Sequence, residues 1–239
     1  MNLAIDIGNT RTKIGIFNDS NLSTVMTYEN DKKINLKEII SNLHVEKAII
    51  SSTIEIPAYL LEDFQQIEQH FILDASTKLP FLNLYSSKET LGKDRLALIA
   101  AAQAKFPNQN NLVIGCGTCI TFNFINAKNE FLGGSIHPGL KMRLQAMHTF
   151  TGKLPLIALE KNATLIGNDT KSNILSGVLY AATKEIDGMI DEYLVKFPEM
   201  NIIITGGDAD LLVYSLKNEI FAISNFTLIG LNHILEHNA

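Results

Sequence analysis

The sequence has few cysteines, no excess of positive charge and no long apolar run, and each of these absences excludes a class of protein. Two cysteines in 239 residues are too few for a disulfide scaffold. The formal net charge of −5 argues against nucleic acid as a partner, because nucleic-acid-binding proteins carry a basic face. No stretch approaches the roughly 18 apolar residues of a membrane span, and the first residues do not resemble an export signal. We therefore expect a cytoplasmic globular protein with no nucleic-acid or membrane partner.

The start of the chain carries the strongest functional signal. Apolar residues alternate with small or polar ones on both sides of Asn9–Thr10, which predicts a β-hairpin over residues 2–18. Asp6 is unusual because it places a carboxylate near the end of an apolar strand. Gly8 lets the backbone approach a ligand closely, the turn offers N–H and hydroxyl donors, and Lys13 adds a positive charge. This pattern favours a phosphate-binding loop in which Asp6 holds Mg²⁺ through water. The alternative is a plain hairpin with a polar turn.

The rest of the sequence predicts an α/β protein in two halves. A polar, turn-rich run at residues 107–111 separates two apolar segments, and the strand, Gly-Thr turn and strand that follow resemble residues 3–17 in kind. We therefore predict domains at residues 1–110 and 111–239. Besides the first hairpin, the predicted elements are an exposed polar stretch at 18–33, helices at Leu36–Leu43, Ala58–His70, Asp94–Lys105 and Ser176–Phe197, strands at 48–53, 71–74 and 81–84, a hairpin at 112–122, a glycine-dense turn at 133–140, and a strand from Ile202 that leads into the turn Gly206–Gly207.

Two charged residues at the start of a predicted helix have two interpretations. Asp94 is typical of a helix cap, which stabilises free N–H groups by about 1 kcal/mol. It is also suited to act as a general base that accepts a hydroxyl proton during phosphoryl transfer. In the second interpretation Arg95 would bind a substrate carboxylate in bidentate fashion. The spacing alone slightly favours the cap.

The cysteines and histidines give weaker signals. Cys116 and Cys119 form a CxxC motif, but it lies in a predicted strand, turn and strand rather than at a helix start, and no second pair completes a zinc site. We interpret them as small buried thiols, with a metal-binding module as the alternative. We assign no nucleophile or acid to His137 from the sequence, so we expect a turn or cleft-wall residue. The same interpretation applies to His148, His233 and His237.

Taken in order along the chain, these motifs resemble those of the type III pantothenate kinases, part of the superfamily that includes sugar kinases, actin and heat-shock chaperone ATPases. Each motif is weak by itself, whereas the ordered set is specific and spans nearly the whole chain. The resemblance implies two ribonuclease-H-like (actin-like ATPase) domains with a nucleotide cleft between them. The matching segments are Asp6–Thr10 with Lys13, Ser51–Thr53, Thr90–Arg95, Gly117–Thr118 with Thr121, Gly133–Gly139, Leu154–Pro155 and Thr205–Gly207.

The resemblance also implies a reaction, ATP-dependent phosphorylation of pantothenate on its primary hydroxyl, which is the first step of coenzyme A biosynthesis. Asp94 would be the catalytic base, and Asp6 would organise the Mg²⁺ that accompanies ATP. The family forms homodimers, and the long helix after Ser176 would contribute to that interface. The residues implied for ATP are Asp6, Ile7, Gly8, Asn9, Thr10, Arg11, Thr12, Lys13 and Thr118. Those implied for pantothenate are Tyr85, Gly92, Lys93, Asp94 and Arg95, with Thr170 reaching the partner subunit's site.

The second phosphate loop departs from the family pattern at two positions. Family members carry aspartates there, and the first of them binds an activating monovalent cation, K⁺ or NH₄⁺. This chain has Gly115 and Asn123 instead. Glycine has no side chain to ligate a cation and asparagine has no charge, so we expect a weak, absent or altered site. These two differences also support an alternative function, a regulator that binds ATP but has lost turnover. A related kinase that acts on another small molecule is a further alternative.

Overall fold

The computed structural model describes residues 1–161 and 163–239, which form two compact units. The first unit comprises Met1–Asn108, Ile125–Leu132 and Asn225–Ala239, and the second comprises Gln109–Phe124 and Gly133–Ser224. The C-terminal segment therefore belongs to the same unit as the N-terminal one, whereas the sequence prediction divided the chain once, after residue 110. No helix in the described ranges combines the length and apolarity that crossing a membrane would require.

Helices and strands both occur in each half of the chain, as the apolar patterns predict. In chain order the strands are β1 (Asn2–Ile7), β2 (Arg11–Asn18), β3 (Asn21–Glu29), β4 (Lys47–Ser52), β5 (Gln69–Ile72), β6 (Leu82–Asn83), β7 (Asn111–Cys116), β8 (Cys119–Ile125), β9 (Glu130–Pro138), β10 (Asn201–Thr205) and β11 (Phe221–Ala222). The helices are α1 (Leu36–Leu43), α2 (Ala58–Phe64), α3 (Lys93–Lys105), α4 (Leu140–Phe150), α5 (Thr170–Leu175), α6 (Ala181–Lys196) and α7 (Phe226–Asn238).

The first unit is built on a mixed sheet with the strand order β3-β2-β1-β4-β5. The hairpin strands β1 and β2 are antiparallel, while β1, β4 and β5 are parallel. On one face, alternate residues of β1, β2 and β4 pack with α1 and α2 in a buried cluster. On the other face, α7 contacts β1, β2 and β4 and packs closely against α3. The sheet is therefore covered by helices on both faces, as parallel strands require.

The second unit has a sheet in which β10 and β7 are parallel and β7 is followed by β8 and β9. Leu112, Ile114 and Cys116 of β7 face a buried cluster that includes residues of α4 and α6. A π-helical turn at Ser176–Tyr180 joins α5 to α6. The predicted long helix at Ser176–Phe197 is thus present and begins earlier in the chain, at Thr170, where Asp169 caps α5.

Three predicted elements differ from the structure. The predicted polar stretch at 18–33 contains β3, which pairs with β2; most of its residues are exposed or half-buried, so it lacks an apolar pattern. The helix predicted over Ala58–His70 ends at Phe64, and β5 begins at Gln69. The glycine-dense run at 133–140 is not a turn for most of its length but continues β9. There Gly134 has φ +153° and its Cα packs against the backbone of β8, which leaves no room for a side chain.

Candidate active site

The site in the first unit begins with a row of three side chains on neighbouring strands. Lys13 of β2 lies opposite Asp6 of β1, and Asp6 lies beside Ser51 of β4. Each of them is next to an isoleucine of the cluster that packs with α1 and α2, namely Ile5, Ile7, Ile14 or Ile50. Because side chains alternate between faces, Lys13, Asp6 and Ser51 share the opposite face, near the carboxyl ends of the parallel strands β1 and β4. The Lys13 Nζ also donates a 3.3 Å hydrogen bond to Oδ1 of Asn225, at the start of α7.

Asp94, in the first turn of α3, completes the site. Burial raises the pKa of Asp6 to about 7; the negative charge of Asp94 adds to this increase and the positive charge of Lys13 opposes it. Burial also raises the pKa of Asp94. Backbone hydrogen bonds from Arg95 and from Asp94 itself, together with the charge of Arg95, lower this pKa by less. Two neighbouring carboxyl groups with raised pKa values are typical of a site that receives a cation or a proton.

The geometry at the start of α3 depends on a glycine. Gly92 is the residue that caps the helix, and a Cβ on it would lie 2.5 Å from Oδ1 of Asp94. The carboxylate of Asp94 is therefore packed against the backbone of Gly92 while it accepts the N–H of Arg95. The two interpretations of Asp94, as a helix cap and as a base, are therefore compatible. Its carboxylate accepts an N–H group of the first helical turn, and its charge still acts on Asp6.

Arg95 lies in an aromatic pocket beside this carboxylate. Its side chain is buried, and the guanidinium carbon lies 5.6 Å from the ring centre of Tyr85 and 5.9 Å from that of Phe131. The two rings are stacked 6.2 Å apart. Stacking on aromatic faces fixes the plane of a guanidinium, and this suits bidentate binding of a carboxylate. Tyr85 and Arg95, which the sequence assigned to one pocket by resemblance, are thus in contact.

The turn between β1 and β2 is held by one backbone hydrogen bond and by the side chain of Asn30. The N–H of Gly8 donates to the carbonyl of Arg11 at 2.9 Å, and the Asn30 side-chain amide donates to the carbonyl of Gly8 at 2.8 Å. The Thr12 hydroxyl donates to Oδ1 of the same asparagine at 3.0 Å. Asn9 and Thr10 stay exposed at the tip, whereas the Ile7 side chain faces the core, so Ile7 could meet a ligand only through its backbone.

A second group of turns lies in the second unit. The N–H of Gly139 donates to the carbonyl of Thr118 at 3.1 Å, and the N–H of Asp208 donates to the carbonyl of Cys116 at 3.1 Å. A Cβ on Gly139 would overlap the carbonyl oxygens of Gly117 and Thr118, and one on Gly206 (φ +110°) would overlap that of Cys116. The three glycine-containing turns predicted for this half of the sequence therefore pack together around an exposed Thr118.

The residues of the first unit fit a Mg²⁺ ion that arrives with a nucleotide. Magnesium retains several waters and is bound in proteins through one or two carboxylates plus phosphate oxygens. Asp6 supplies such a carboxylate, with Asp94 close to it. Among the described residues, Oγ of Ser51 is a fully buried oxygen with no hydrogen-bond partner, and it lies next to Asp6 on the same face. No group of three His, Cys, Asp or Glu residues in the described ranges is arranged as a metal-ligand cluster.

Comparisons with known proteins identify the family. Residues 2–192 match the family model for type III pantothenate kinase. The chain is 42% identical to the type III pantothenate kinase of Christiangramia forsetii, over 100% of this chain and 99% of that protein. It is 40% identical to the type III pantothenate kinase of Bacteroides fragilis, over 100% of this chain and 98% of that protein. The chain belongs to the type III pantothenate kinase family.

Solved structures define the fold. A Campylobacter jejuni protein assigned to the Baf family of transcriptional activators matches with a TM-score of 0.63 and 20% identity, over 99% of this chain and 98% of that one. A glucokinase from an Antarctic psychrotroph matches with a TM-score of 0.53 and 13% identity, over 99% of this chain and 98% of that one. The fold is that of the actin-like ATPases and sugar kinases, which confirms the fold class that the motifs predict.

The two positions at which this type III pantothenate kinase departs from the family pattern lie in β7 and β8. Asn123 is fully buried, and its amide nitrogen donates to the carbonyl of Val113 at 3.2 Å and to the hydroxyl of Thr121 at 3.1 Å. Gly115 has no side chain. A neutral amide that uses its N–H groups within the sheet and a bare glycine do not fit a cation held by carboxylates, so no step is assigned to a monovalent cation.

The surroundings of His137 could not be inferred from the sequence. His137 does have a hydroxyl and an acid beside it: Ser135 Oγ lies 2.7 Å from its Nε2, and Glu185 Oε1 lies 2.6 Å from its Nδ1. Arg143 also donates to both carboxylate oxygens of Glu185, at 2.9 and 2.8 Å, and to the carbonyl of Pro138. The glutamate of α6 thus anchors both sides of the turn that contains Gly139. No sequence signal pointed to it, because it lies 48 residues from the histidine.

The cysteines lie on opposite faces of their hairpin. Cys116 belongs to the buried cluster together with Ile120, so alternation places Cys119 on the other face. Burial raises the pKa of the Cys116 thiol to about 12, and the charge of Asp208 adds to this. The interpretation as a buried thiol is confirmed for Cys116, whereas Cys119 is only half-buried.

Proposed function

We propose that this chain transfers the terminal phosphoryl group of ATP to the primary hydroxyl of pantothenate, in the first step of coenzyme A biosynthesis. One observation carries the proposal: Asp6 lies opposite Lys13 on the sheet, and the charge of Asp94, which is far away in sequence and directly precedes Arg95, acts on Asp6. Phosphoryl transfer depends mainly on charge compensation and on positioning of the acceptor. Membership of the type III pantothenate kinase family supplies the identity of both substrates.

The proposed acceptor site consists of Tyr85, Gly92, Lys93, Asp94 and Arg95. Asp94 would accept the proton of the attacking hydroxyl, and its raised pKa makes it a stronger base than an ordinary aspartate once it is ionised. Arg95, stacked beside Tyr85, would bind the carboxylate of pantothenate. These two contacts would hold the hydroxyl at one end of the substrate and the carboxylate at the other.

The proposed ATP-binding residues are the segment Asp6–Lys13 and Thr118. The turn at Asn9–Thr10 offers exposed N–H groups, and Lys13 supplies a positive charge next to Asp6. Asp6 would hold Mg²⁺ through water, so that the metal compensates phosphate charge when the nucleotide is bound. Thr118 is exposed on a turn fixed by Gly139 and would contact phosphate oxygens from there.

We also propose that the protein is a homodimer through its second unit. This unit exposes the apolar side chains of Phe150, Leu165 and Ile166, the first and last of them by 85% and 83%. Thr170, which would reach the partner's pantothenate site, is exposed four residues further along, at the start of α5. Exposed apolar groups of this size favour a protein interface. Sedimentation of wild type and Ile166→Asp tests this, with a smaller species expected for the variant.

The test of the reaction is a coupled kinase assay with purified protein, ATP and pantothenate, run from zero to saturating K⁺ or NH₄⁺. We expect turnover that changes little with either cation, because Gly115 and Asn123 offer no carboxylate. Turnover only with another alcohol would identify a different small-molecule kinase. ATP binding without turnover of any acceptor would identify a regulator. The retained Asp6, Lys13, Asp94 and Arg95 favour the active enzyme.

A further inference from the structure

The hydroxyl of Ser51 is fully buried within the first unit. It sits next to the last residue of β4, in direct register with Asp6 of β1, on the face that also carries Lys13. Its Oγ makes no hydrogen bond among the described residues. A buried hydroxyl without a partner costs about 1–3 kcal/mol, so such groups are rare in proteins. This exception therefore calls for an explanation, and its place beside Asp6 supplies one.

The neighbouring serine provides a direct contrast. Ser52 is the next residue and faces the opposite side of the sheet. Its hydroxyl donates to the carbonyl of Ile54 at 2.6 Å and accepts the N–H of the same residue at 3.2 Å. Ser52 therefore has a complete structural role at the end of the strand. Among the described residues, the hydroxyl of Ser51 makes no such contact, although Ser51 is the same type of residue in the same strand.

The register fixes how far Ser51 lies from Asp6. Neighbouring strands of a sheet lie about 4.7–4.9 Å apart, and Asp6 and Ser51 are paired in register on the parallel strands β1 and β4. The two side chains are therefore neighbours, yet the hydroxyl is not hydrogen-bonded to the carboxylate. A water bound to a metal ion has two hydrogens, one for each of these two oxygens.

We infer that Ser51 is a positioning residue for the metal-nucleotide complex: its Oγ and the carboxylate of Asp6 accept the two hydrogens of one water ligand of Mg²⁺. This rests on the proposed function, because the metal arrives with ATP. A metal-bound water is a strong hydrogen-bond donor and needs acceptors on the protein side. Asp6 provides the charged acceptor, and Ser51 provides a neutral one that fixes the orientation of the water.

The test measures equilibrium binding of ADP with and without Mg²⁺, using isothermal titration without pantothenate, so that turnover is not the readout. We compare wild type with Ser51→Ala and with Ser51→Cys, which keeps nearly the same volume and has a weak acceptor. We expect both variants to lose about fivefold in affinity for Mg-ADP, the effect of one hydrogen bond, with metal-free ADP unchanged. The matched control Ser52→Ala should leave Mg-ADP affinity unchanged and lower the melting temperature instead.

Three results would overturn the inference. Equal affinity of all four proteins for Mg-ADP would show that the hydroxyl does not act on the complex. If the Ser51 variants lose the same ADP affinity with and without Mg²⁺, the role of Ser51 is purely structural. If wild type binds ADP no better with Mg²⁺ than without it, the proposed function fails first, and the assignment of Ser51 fails with it. If Mg²⁺ strengthens ADP binding in wild type and the Ser51 variants bind Mg-ADP equally well, only the role assigned to Ser51 is refuted.

Discussion

At the scale of single residues, Asp94 is the group on which turnover depends most. Asp94→Asn keeps the shape of the side chain and its acceptor oxygen at the start of α3, but it removes the proton acceptor. We expect kcat to fall about 10²- to 10⁴-fold, the usual contribution of a general base, with a much smaller change in the KM for ATP. Steady-state kinetics of the coupled assay measure both constants.

The fold of that variant is checked separately. Circular dichroism should match wild type, because Gly92 can pack against an amide as it packs against the carboxylate. The melting temperature should not fall, since burial raises the pKa of Asp94 and the neutral amide removes that cost at neutral pH. In wild type, activity should fall as the pH drops through the raised pKa of Asp94, since the protonated form cannot accept the hydroxyl proton. Near-normal turnover in Asp94→Asn would contradict the assignment of this residue as the base.

At the scale of elements, the turn with Gly139 supports the loop with Thr118. Gly139→Ala introduces a Cβ that overlaps the carbonyl oxygens of Gly117 and Thr118, so the loop must shift. We expect the KM for ATP to rise about tenfold, the equivalent of ~1.4 kcal/mol. The control is Gly152→Ala, where no atom lies within 4 Å of the added Cβ. Similar ATP constants for both variants would show that the loop does not bind the nucleotide.

The packing of α7 on α3 also depends on one glycine. A Cβ at Gly230 would overlap the carbonyl of Ala97 in α3, so Gly230→Ala should destabilise the protein by about 1–3 kcal/mol through overpacking. Gly188 of α6 is exposed and has nothing within 4 Å, so Gly188→Ala should stabilise by about 0.5–1 kcal/mol through helix propensity. Urea unfolding measures the free energy of unfolding of both variants, which we expect to fall for Gly230→Ala and to rise for Gly188→Ala.

At the scale of the whole molecule, the site lowers stability in a pH-dependent way. Asp6 has a pKa of about 7 in the folded protein against an ordinary value of 3.8, so folding binds a proton between these values. The free energy of unfolding therefore falls as the pH rises from about 4 to 7, and the penalty is fully present above 7. Asp6→Asn removes it. We expect the ligand-free variant to be more stable than wild type at pH 8, by an amount on the order of a few kcal/mol.

The measurement is thermal unfolding in EDTA without nucleotide, from pH 5 to 8. The gain from Asp6→Asn should shrink towards pH 5, where the folded carboxyl is neutral. Asp74 is the control of opposite sign: hydrogen bonds from Ser76 lower its pKa, so ionised Asp74 stabilises the fold above its ordinary pKa. Asp74→Asn should therefore lose the same stability at every pH from 5 to 8, because Asp74 is ionised in both the folded and the unfolded protein throughout this range. A gain from Asp6→Asn that does not vary with pH would contradict the raised pKa.

The sequence by itself determined the elements whose pattern is local. The hairpin at β1 and β2, the helix Leu36–Leu43, α3 and the strand β7 all follow from apolar periodicity within a few residues, because burial on one face needs no knowledge of the partner. The motifs that carry charge also follow from the sequence. Asp6 is identifiable because a carboxylate in an apolar strand has few structural uses. For Asp94 the spacing favours a helix cap, and only the resemblance to a family implies a base.

The tertiary structure decided what depends on distant residues. β3 is an edge strand with little burial, so only its pairing with β2 defines it. β9 continues through a glycine-rich run because β8 lies against its backbone. The partners of His137 and the unpaired hydroxyl of Ser51 are set by the register and packing of segments dozens of residues apart. Contacts between segments far apart in the chain leave no periodic trace in either one, so they are visible only once the chain has folded.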